Sequence, residues 1–175
     1  MELTGIILLA VLAVAVVYAI MIYNQLVQVK HNVSKAWANI DVLLKQRHDE
    51  LPKLVETCKQ YMKFEQDTLV RVMEARSHVS TAREQQNIGA LGQAEGELRG
   101  ALGKLFALAE AYPELKTDET FKHLQSRISS LENGIADRRE FYNESVNINN
   151  VRIEQFPDSV VAELFRYRPM QLLRI

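Results

Sequence analysis

An unbroken apolar run near the N-terminus constrains the fold of this chain more than any other feature of its sequence. The 18 residues from Gly5 to Ile22 include no charged or strongly polar side chain. Leu3 and Tyr23 extend the run to about the 20 residues that a helix needs to cross a bilayer. The run therefore predicts a transmembrane anchor over residues 1–24.

A cleaved signal peptide is the alternative interpretation of this run. Such a peptide has a basic start and an apolar core of about 7–15 residues. Here Glu2 is the only charged side chain before the run, and the run is longer than that core. We therefore expect an uncleaved, single-pass anchor.

The distribution of basic residues predicts the orientation of the anchor. No Lys or Arg precedes the run, whereas Lys30 and Lys35 follow it closely. Because basic residues favour the cytoplasmic side, we expect the N-terminus outside and the following domain in the cytoplasm. The single cysteine, Cys58, cannot form an intramolecular disulfide, which is consistent with a reducing compartment.

The part of the chain after the anchor carries no net charge. Residues 25–175 hold all 21 Lys and Arg and 21 of the 22 Asp and Glu, with both signs interleaved. Because polyanion binding needs a basic surface, this composition argues against a nucleic-acid partner.

Apolar residues at spacings of three and four predict an all-α fold for the rest of the chain. We expect an elongated antiparallel bundle of three to four long helices over residues 25–155, followed by a short amphipathic tail over residues 156–175. Thr117 or Asp118 is expected to cap the last long helix, and Asp118 alone would suffice. Two alternatives stay open at Pro52, which either kinks one helix continuous with the anchor or lies in the first turn of a new helix.

The third predicted helix carries four glycines at spacings of three and four. Each costs about 1 kcal/mol relative to alanine in a helix interior, so we expect a closely packed neighbour to compensate. The four are Gly92, Gly96, Gly100 and Gly103.

Apolar stripes on the longest helices are expected to extend beyond their neighbours. Folding the chain at about Asn87 and Glu114 leaves these stripes without partners in the same chain. The C-terminal tail, the membrane or a second copy would have to cover them, and we take this as an argument for self-association. The stripe residues are Trp37, Ile40, Leu44, Tyr142 and Val146.

Four polar residues are predicted to set the register between helices. We expect one or more of their carboxylates to pair with Arg47, Arg76 or Arg139 across helices. The four are Asp41, Glu65, Arg76 and Glu110.

Several short motifs resemble those of the LemA family, from the anchor to about Phe165. The most specific block is Ala109–Lys116, and the others are Tyr23–Val27, Ala36–Val42, Leu51–Val55 with Tyr61 and Glu65, Ala75–Arg76, Leu131–Asn133, Tyr142–Asn143 with Val146, and Phe156–Pro157. The resemblance implies a single-pass helical protein of the bacterial inner membrane, with its N-terminus outside. It implies no activity. The chain departs from the family pattern at Lys53 and at Arg166–Pro169, where the family usually has asparagine and an aromatic-glycine ending.

No residue pattern indicates catalysis, a metal or a cofactor. The four histidines have no second His or Cys at ligand spacing, and Cys58 falls on an apolar helix face. We therefore expect a protein that is not an enzyme and binds no cofactor.

Two functions from different classes are consistent with these features. The first is a membrane-anchored scaffold that self-associates and organises the membrane, with the bilayer, other copies and other membrane proteins as partners. The alternative is a monomeric adaptor or signalling module that holds a bundle near the membrane for one protein partner. Arg166, Arg168 and Arg174 in the tail either face anionic lipid or belong to a segment that caps the bundle.

Overall fold

The fold is all-α, as predicted. A computed structural model describes residues 2–175, and these residues form six helices and no strand. The helices are α1 Leu3–Lys59, α2 Gln66–Glu84, α3 Ile88–Ala109, α4 Pro113–Lys116, α5 Glu119–Glu154 and α6 Asp158–Leu164. Asp118 caps α5 as expected, since its side chain accepts a hydrogen bond from the backbone N–H of Phe121.

The first helix is a single element that joins the apolar run to the bundle. It continues through Pro52 for 57 residues, so the interpretation of a new helix at this proline is wrong. Proline has no N–H to donate to the carbonyl four residues earlier, which here belongs to His48. The Arg76 Nε donates to that carbonyl oxygen at 2.9 Å. A side chain of α2 thus replaces the hydrogen bond that Pro52 removes from α1.

The two longest helices pack against each other along the whole bundle. The chain reverses at residues 60–65, returns as α2, reverses again before α3, and descends along α1 as α5. Both α1 and α5 extend beyond the shorter α2–α3 hairpin toward the apolar run. They extend in the same direction, and each therefore covers the other.

The expectation of uncovered apolar stripes is therefore wrong. Ile40, Leu44, Tyr142 and Val146 are all at most 4% exposed within one chain, and the Trp37 ring contacts the Tyr142 ring edge-on at 6.0 Å between centroids. The expectation placed the overhangs at opposite ends because it folded the chain at about Asn87 and Glu114 and continued the first stretch in line with α2. The actual reversal comes after Lys59, which brings the overhangs together.

The apolar part of α1 projects from the bundle. Its side chains are exposed, as illustrated by Leu8 and Val14 at 65% and 69%. Among residues 2–175, α1 is the one helix long and apolar enough to cross a membrane, and only 6% of its apolar stretch is buried. A core helix of a soluble protein would be mostly buried, so the exposure favours a membrane environment for this segment.

We predict a measurable coupling between Arg76 and Pro52. Arg76→Met should reduce the free energy of unfolding by about 1–3 kcal/mol, because the His48 carbonyl loses its donor. In a Pro52→Ala background the loss should be smaller, since the alanine would supply the missing backbone N–H. Thermal unfolding of the full chain in detergent, followed by circular dichroism, gives both values.

Arg71→Met is the matched control for this cycle, because Arg71 is an exposed arginine on the same helix. This variant should change the free energy of unfolding little in either background. Equal losses for Arg76→Met in the two backgrounds would show that the hydrogen bond does not compensate for Pro52.

Candidate functional site: a buried ion cluster and a docked C-terminal segment

A buried arginine connects three helices at the centre of the bundle. Arg47 continues the apolar stripe of α1, one turn beyond Leu44, and is only 1% exposed. Its Nη1 donates to Glu95 Oε2 on α3 at 3.0 Å and to Glu132 Oε1 on α5 at 2.8 Å. Its Nη2 donates to the other oxygen of Glu95, which makes that pair bidentate. Glu95 is equally buried, at 1% exposed.

The electrostatics of this cluster keep Arg47 charged. Burial alone would lower the pKa of Arg47, but the hydrogen bonds and negative charges of Glu95 and Glu132 outweigh burial and raise it above its usual value. The second oxygen of Glu132 faces Arg99 Nε at 4.0 Å, so the second carboxylate also has a cation beside it. An ion pair of this kind fixes the register of helices, because any slip would leave a charge buried without a partner.

The four residues predicted to set register lie outside this cluster. Asp41 pairs with Arg83 at 3.2 Å, and Glu110 pairs with Lys116 at 2.5 Å. The predicted kind of interaction, an arginine paired with a carboxylate across helices, is present between Asp41 and Arg83. It is also present at Arg47, where the carboxylates are not the predicted ones. Glu95 was missed, although its position between Leu91 and Leu98 in the α3 apolar stripe is a detectable signal.

Two tyrosines connect the loops at the membrane-distal end. The Tyr61 hydroxyl donates to Asp118 Oδ2 at 2.8 Å, and the Tyr112 hydroxyl donates to Glu65 Oε1 at 3.3 Å. The backbone N–H of Phe121 and the Tyr61 hydroxyl lower the pKa of Asp118. This arrangement gives a structural reason for the Tyr112-Pro113 block and for Tyr61 and Glu65 in the motifs noted in the sequence.

The C-terminal segment lies along the seam between α3 and α5 and is held by two asparagines. The Asn143 side chain donates to the Leu173 carbonyl at 2.9 Å and accepts from the Leu173 N–H at 2.8 Å. Asn150 makes the same pair of bonds with Met170, at 2.8 and 2.7 Å. Seven residues of helix and three of extended chain both span about 10 Å, so the two asparagines match this spacing.

The glycine face of α3 divides into a covered and an open part. A Cβ atom at Gly92 would overlap the backbone carbonyl of Arg174, and Ile175 lies 3.9 Å from the corresponding position at Gly96. At Gly100 and Gly103 a Cβ would meet nothing within 4 Å. The close neighbour at the covered part is therefore the C-terminal segment of the same chain and not a helix.

The three arginines of the tail occupy different environments. Arg174 lies against α3 in the docked segment, next to the buried Leu173. Arg166 and Arg168 are exposed between α6 and Met170, close to the end of the apolar run.

Metal-ligating side chains and the single cysteine are the remaining candidates for chemistry. Within residues 2–175 no group of three or more His, Cys, Asp or Glu side chains could hold a metal ion. Cys58 is fully buried, and its burial raises the pKa of the thiol to about 12. Because the thiolate is the nucleophile, this cysteine is a core residue.

The sequence comparisons identify the family. The family model that matches covers residues 36–175 and describes the LemA family. The chain belongs to the LemA family. The match covers the docked C-terminal segment as well as the bundle. It therefore includes the tail, where this LemA-family chain departs from the family's usual ending.

Curated relatives of this LemA-family protein include magnetosome proteins and a protein named LemA. It is 25% identical to the magnetosome protein MamQ 2 of Paramagnetospirillum magneticum over 166 residues, which cover 82% of this chain and 61% of that protein. MamQ of Magnetospirillum gryphiswaldense is 24% identical over 175 residues, covering 87% and 64%. Protein LemA of Metamycoplasma hominis is 26% identical over 160 residues, covering 90% and 72%.

The chain spans less than two thirds of the length of these MamQ proteins. None of the three names specifies an enzymatic activity. Together with the exposed apolar part of α1, these relatives indicate a membrane-associated protein.

We predict that breaking the buried ion pair is more harmful than removing it. Arg47→Met leaves Glu95 buried without a cation and should cost about 3–5 kcal/mol of unfolding free energy. The double substitution Arg47→Met with Glu95→Leu should recover a large part of that loss, since it removes both charges. Denaturant titration of the full chain in detergent measures both changes.

Lys59→Met is the control, because Lys59 pairs with Glu56 at 3.4 Å while both side chains are exposed. It should cost at most about 1 kcal/mol. A double variant no more stable than Arg47→Met alone would show that the pair contributes more than charge compensation.

Proposed function

We propose that this protein is a membrane-anchored, non-enzymatic adaptor of the bacterial inner membrane. Its bundle stands on the cytoplasmic face and presents the membrane-distal end to a protein partner. The observation that carries the proposal is the continuity of α1, which runs without a break from the apolar run to the far end of the bundle. At about 1.5 Å per residue, the 36 residues from Asn24 to Lys59 extend about 50 Å.

Three interactions make this extension a rigid spacer. The α5 helix packs along the same stretch of α1, and the Arg47 cluster connects both helices to α3. Arg76 replaces the hydrogen bond missing at Pro52, the one point where α1 would otherwise bend. Tethering such a spacer to a membrane raises the local concentration of a weak binder at a set distance from the bilayer.

The intramolecular cover of the apolar stripes supports an adaptor that works as a monomer. Each stripe residue that a second copy was expected to cover is packed within one chain. A groove of about 890 Å³ lies between α1 and α2 and is lined by residues that include Val55, Leu69 and Met73. It lies at the membrane-distal end, where an adaptor would meet its partner.

A self-associating scaffold is the second candidate, and the open part of the α3 glycine face favours it. Gly100 and Gly103 have free space above them, and a cavity of about 340 Å³ lies beside Gly103 between α3 and α5. A helix of a second copy could approach closely there, as helices do over small residues.

The mass of the full-length protein in mild detergent distinguishes the two candidates. We expect light scattering to give the mass of one chain, because the apolar stripes already have partners. A defined multimer that Gly100→Leu with Gly103→Leu returns to single chains would favour the scaffold. The exposed Arg71→Met variant is the control and should not change the mass.

The proposed orientation predicts which residues a membrane-impermeant thiol reagent can reach. Phe64→Cys, at a tip position 93% exposed, should react only after the cells are permeabilised, whereas Leu3→Cys should react in intact spheroplasts. The unaltered protein provides the background, since its buried Cys58 should not react. Labelling of Phe64→Cys in intact spheroplasts would place the bundle outside and contradict the cytoplasmic adaptor.

A further inference from the structure

The chain makes its last reversal at the level where the apolar run ends. The α5 helix descends until Arg152 Nη1 donates to Gln25 Oε1 at 2.7 Å. The chain then turns through α6, and the centroid of the Phe165 ring lies 4.6 Å from the centroid of the Tyr23 ring. Gln25 and Tyr23 flank the point where the apolar run of α1 gives way to polar sequence. Helix α6 therefore lies at the height of a bilayer surface whenever that run spans a membrane.

One face of α6 is packed against the bundle. Val161 and Ala162 are at most 9% exposed and form a small apolar cluster with Ile22, Leu26 and Ile153. This cluster is separate from the main core and fixes α6 against α1 at the end of the apolar run.

The other face of α6 and its two flanks expose large apolar side chains. Phe156 is 84% exposed, Val160 58%, Leu164 75% and Phe165 53%. Exposed apolar groups of this size in one place mark an interaction surface. The Phe165 ring of this patch contacts the Tyr23 ring at the end of the apolar run, and Ile20 and Met21 in that run are exposed as well.

The charged groups around the patch suit a headgroup layer. Lys30, Arg166 and Arg168 are exposed beside it, and Lys30 Nζ lies 5.4 Å from the centroid of the Tyr167 ring. Two exposed carboxylates, Glu154 and Glu163, flank the same region, and Asp158 is paired with Arg152. Apolar side chains that point to the acyl boundary, with cations above them, are typical of interfacial helices.

We propose that α6, with Phe156 and Phe165 at its flanks, is an interfacial foot embedded in the leaflet on the bundle's side of the membrane. Its ligand is the boundary between acyl chains and headgroups of the bilayer. The inference rests on the proposed anchor and deepens it. A single helix can rotate and tilt in a membrane, whereas a helix with a foot beside it has two attachments. The foot therefore sets the direction in which the spacer points.

Tryptophan fluorescence in vesicles tests the foot directly. The only tryptophan, Trp37, is replaced by phenylalanine, and Phe156→Trp is introduced into the full chain. The protein is reconstituted into phosphatidylcholine–phosphatidylglycerol vesicles whose acyl chains carry bromine near the headgroup end or near the methyl end. We expect about twofold or stronger quenching of the introduced tryptophan by the shallow bromine and less by the deep one.

Two matched variants separate failure of the foot from failure of the anchor. Phe64→Trp at the distal tip is as exposed as Phe156 and should not be quenched, whereas Val14→Trp in the apolar run should be quenched by the deep bromine. Quenching of Val14→Trp without quenching of Phe156→Trp would overturn the foot alone. Absence of quenching at both positions would overturn the anchor and the foot together.

Disruption of the exposed face gives a second test that leaves the packed face intact. Val160→Asp with Leu164→Asp, added to the Phe156→Trp protein, should at least halve the quenching, because the charges withdraw α6 from the acyl boundary. Unchanged circular dichroism would show that the bundle is still folded. Quenching that persists at full strength would contradict the role of this face in lipid contact.

Discussion

The antiparallel packing of α5 on α1 is the interaction on which the rest of the structure depends. The two helices run side by side over about 36 residues, from the distal loops to the end of the apolar run. This pairing covers the apolar stripes of both helices and brings Glu132 to Arg47. It also orients Asn143 and Asn150 so that they hold the C-terminal segment, and it delivers α6 to the base of the bundle.

Polar interactions within this packing have a common role, which is to exclude other registers between the packed segments. Apolar contacts between long helices tolerate a slip by one turn at little cost, because the next turn offers similar side chains. The Arg47–Glu95 pair does not tolerate it, since a slip would bury two unpaired charges. The hydrogen bond from Arg76 to the His48 carbonyl fixes α1 in the same way. The side chains of Asn143 and Asn150 fix the position of the C-terminal segment.

Particular elements show how far the sequence could predict the fold. The apolar run, the periodic spacing and the motif resemblance predicted an all-α fold of the LemA family with an apolar N-terminal helix, and the structure and the family match confirm it. The wrong expectation concerned the stripes at Trp37 and Tyr142, because helix length alone does not say at which residue the chain reverses. The sequence was sufficient to predict that Arg47 could pair with a carboxylate across helices. It did not identify the partners on α3 and α5, because several carboxylates were compatible.

The sequence by itself determined the kind of structure: an apolar segment long enough for a bilayer, helices of a given length, and buried faces with a helical period. These properties are local, since each depends on residues within a few turns of one another. The tertiary structure alone decided which helices cover which stripes, why Gly92 must be small, and that α6 lies level with the end of the apolar run. Those outcomes depend on contacts between residues far apart in the chain, and local periodicity contains no information about them.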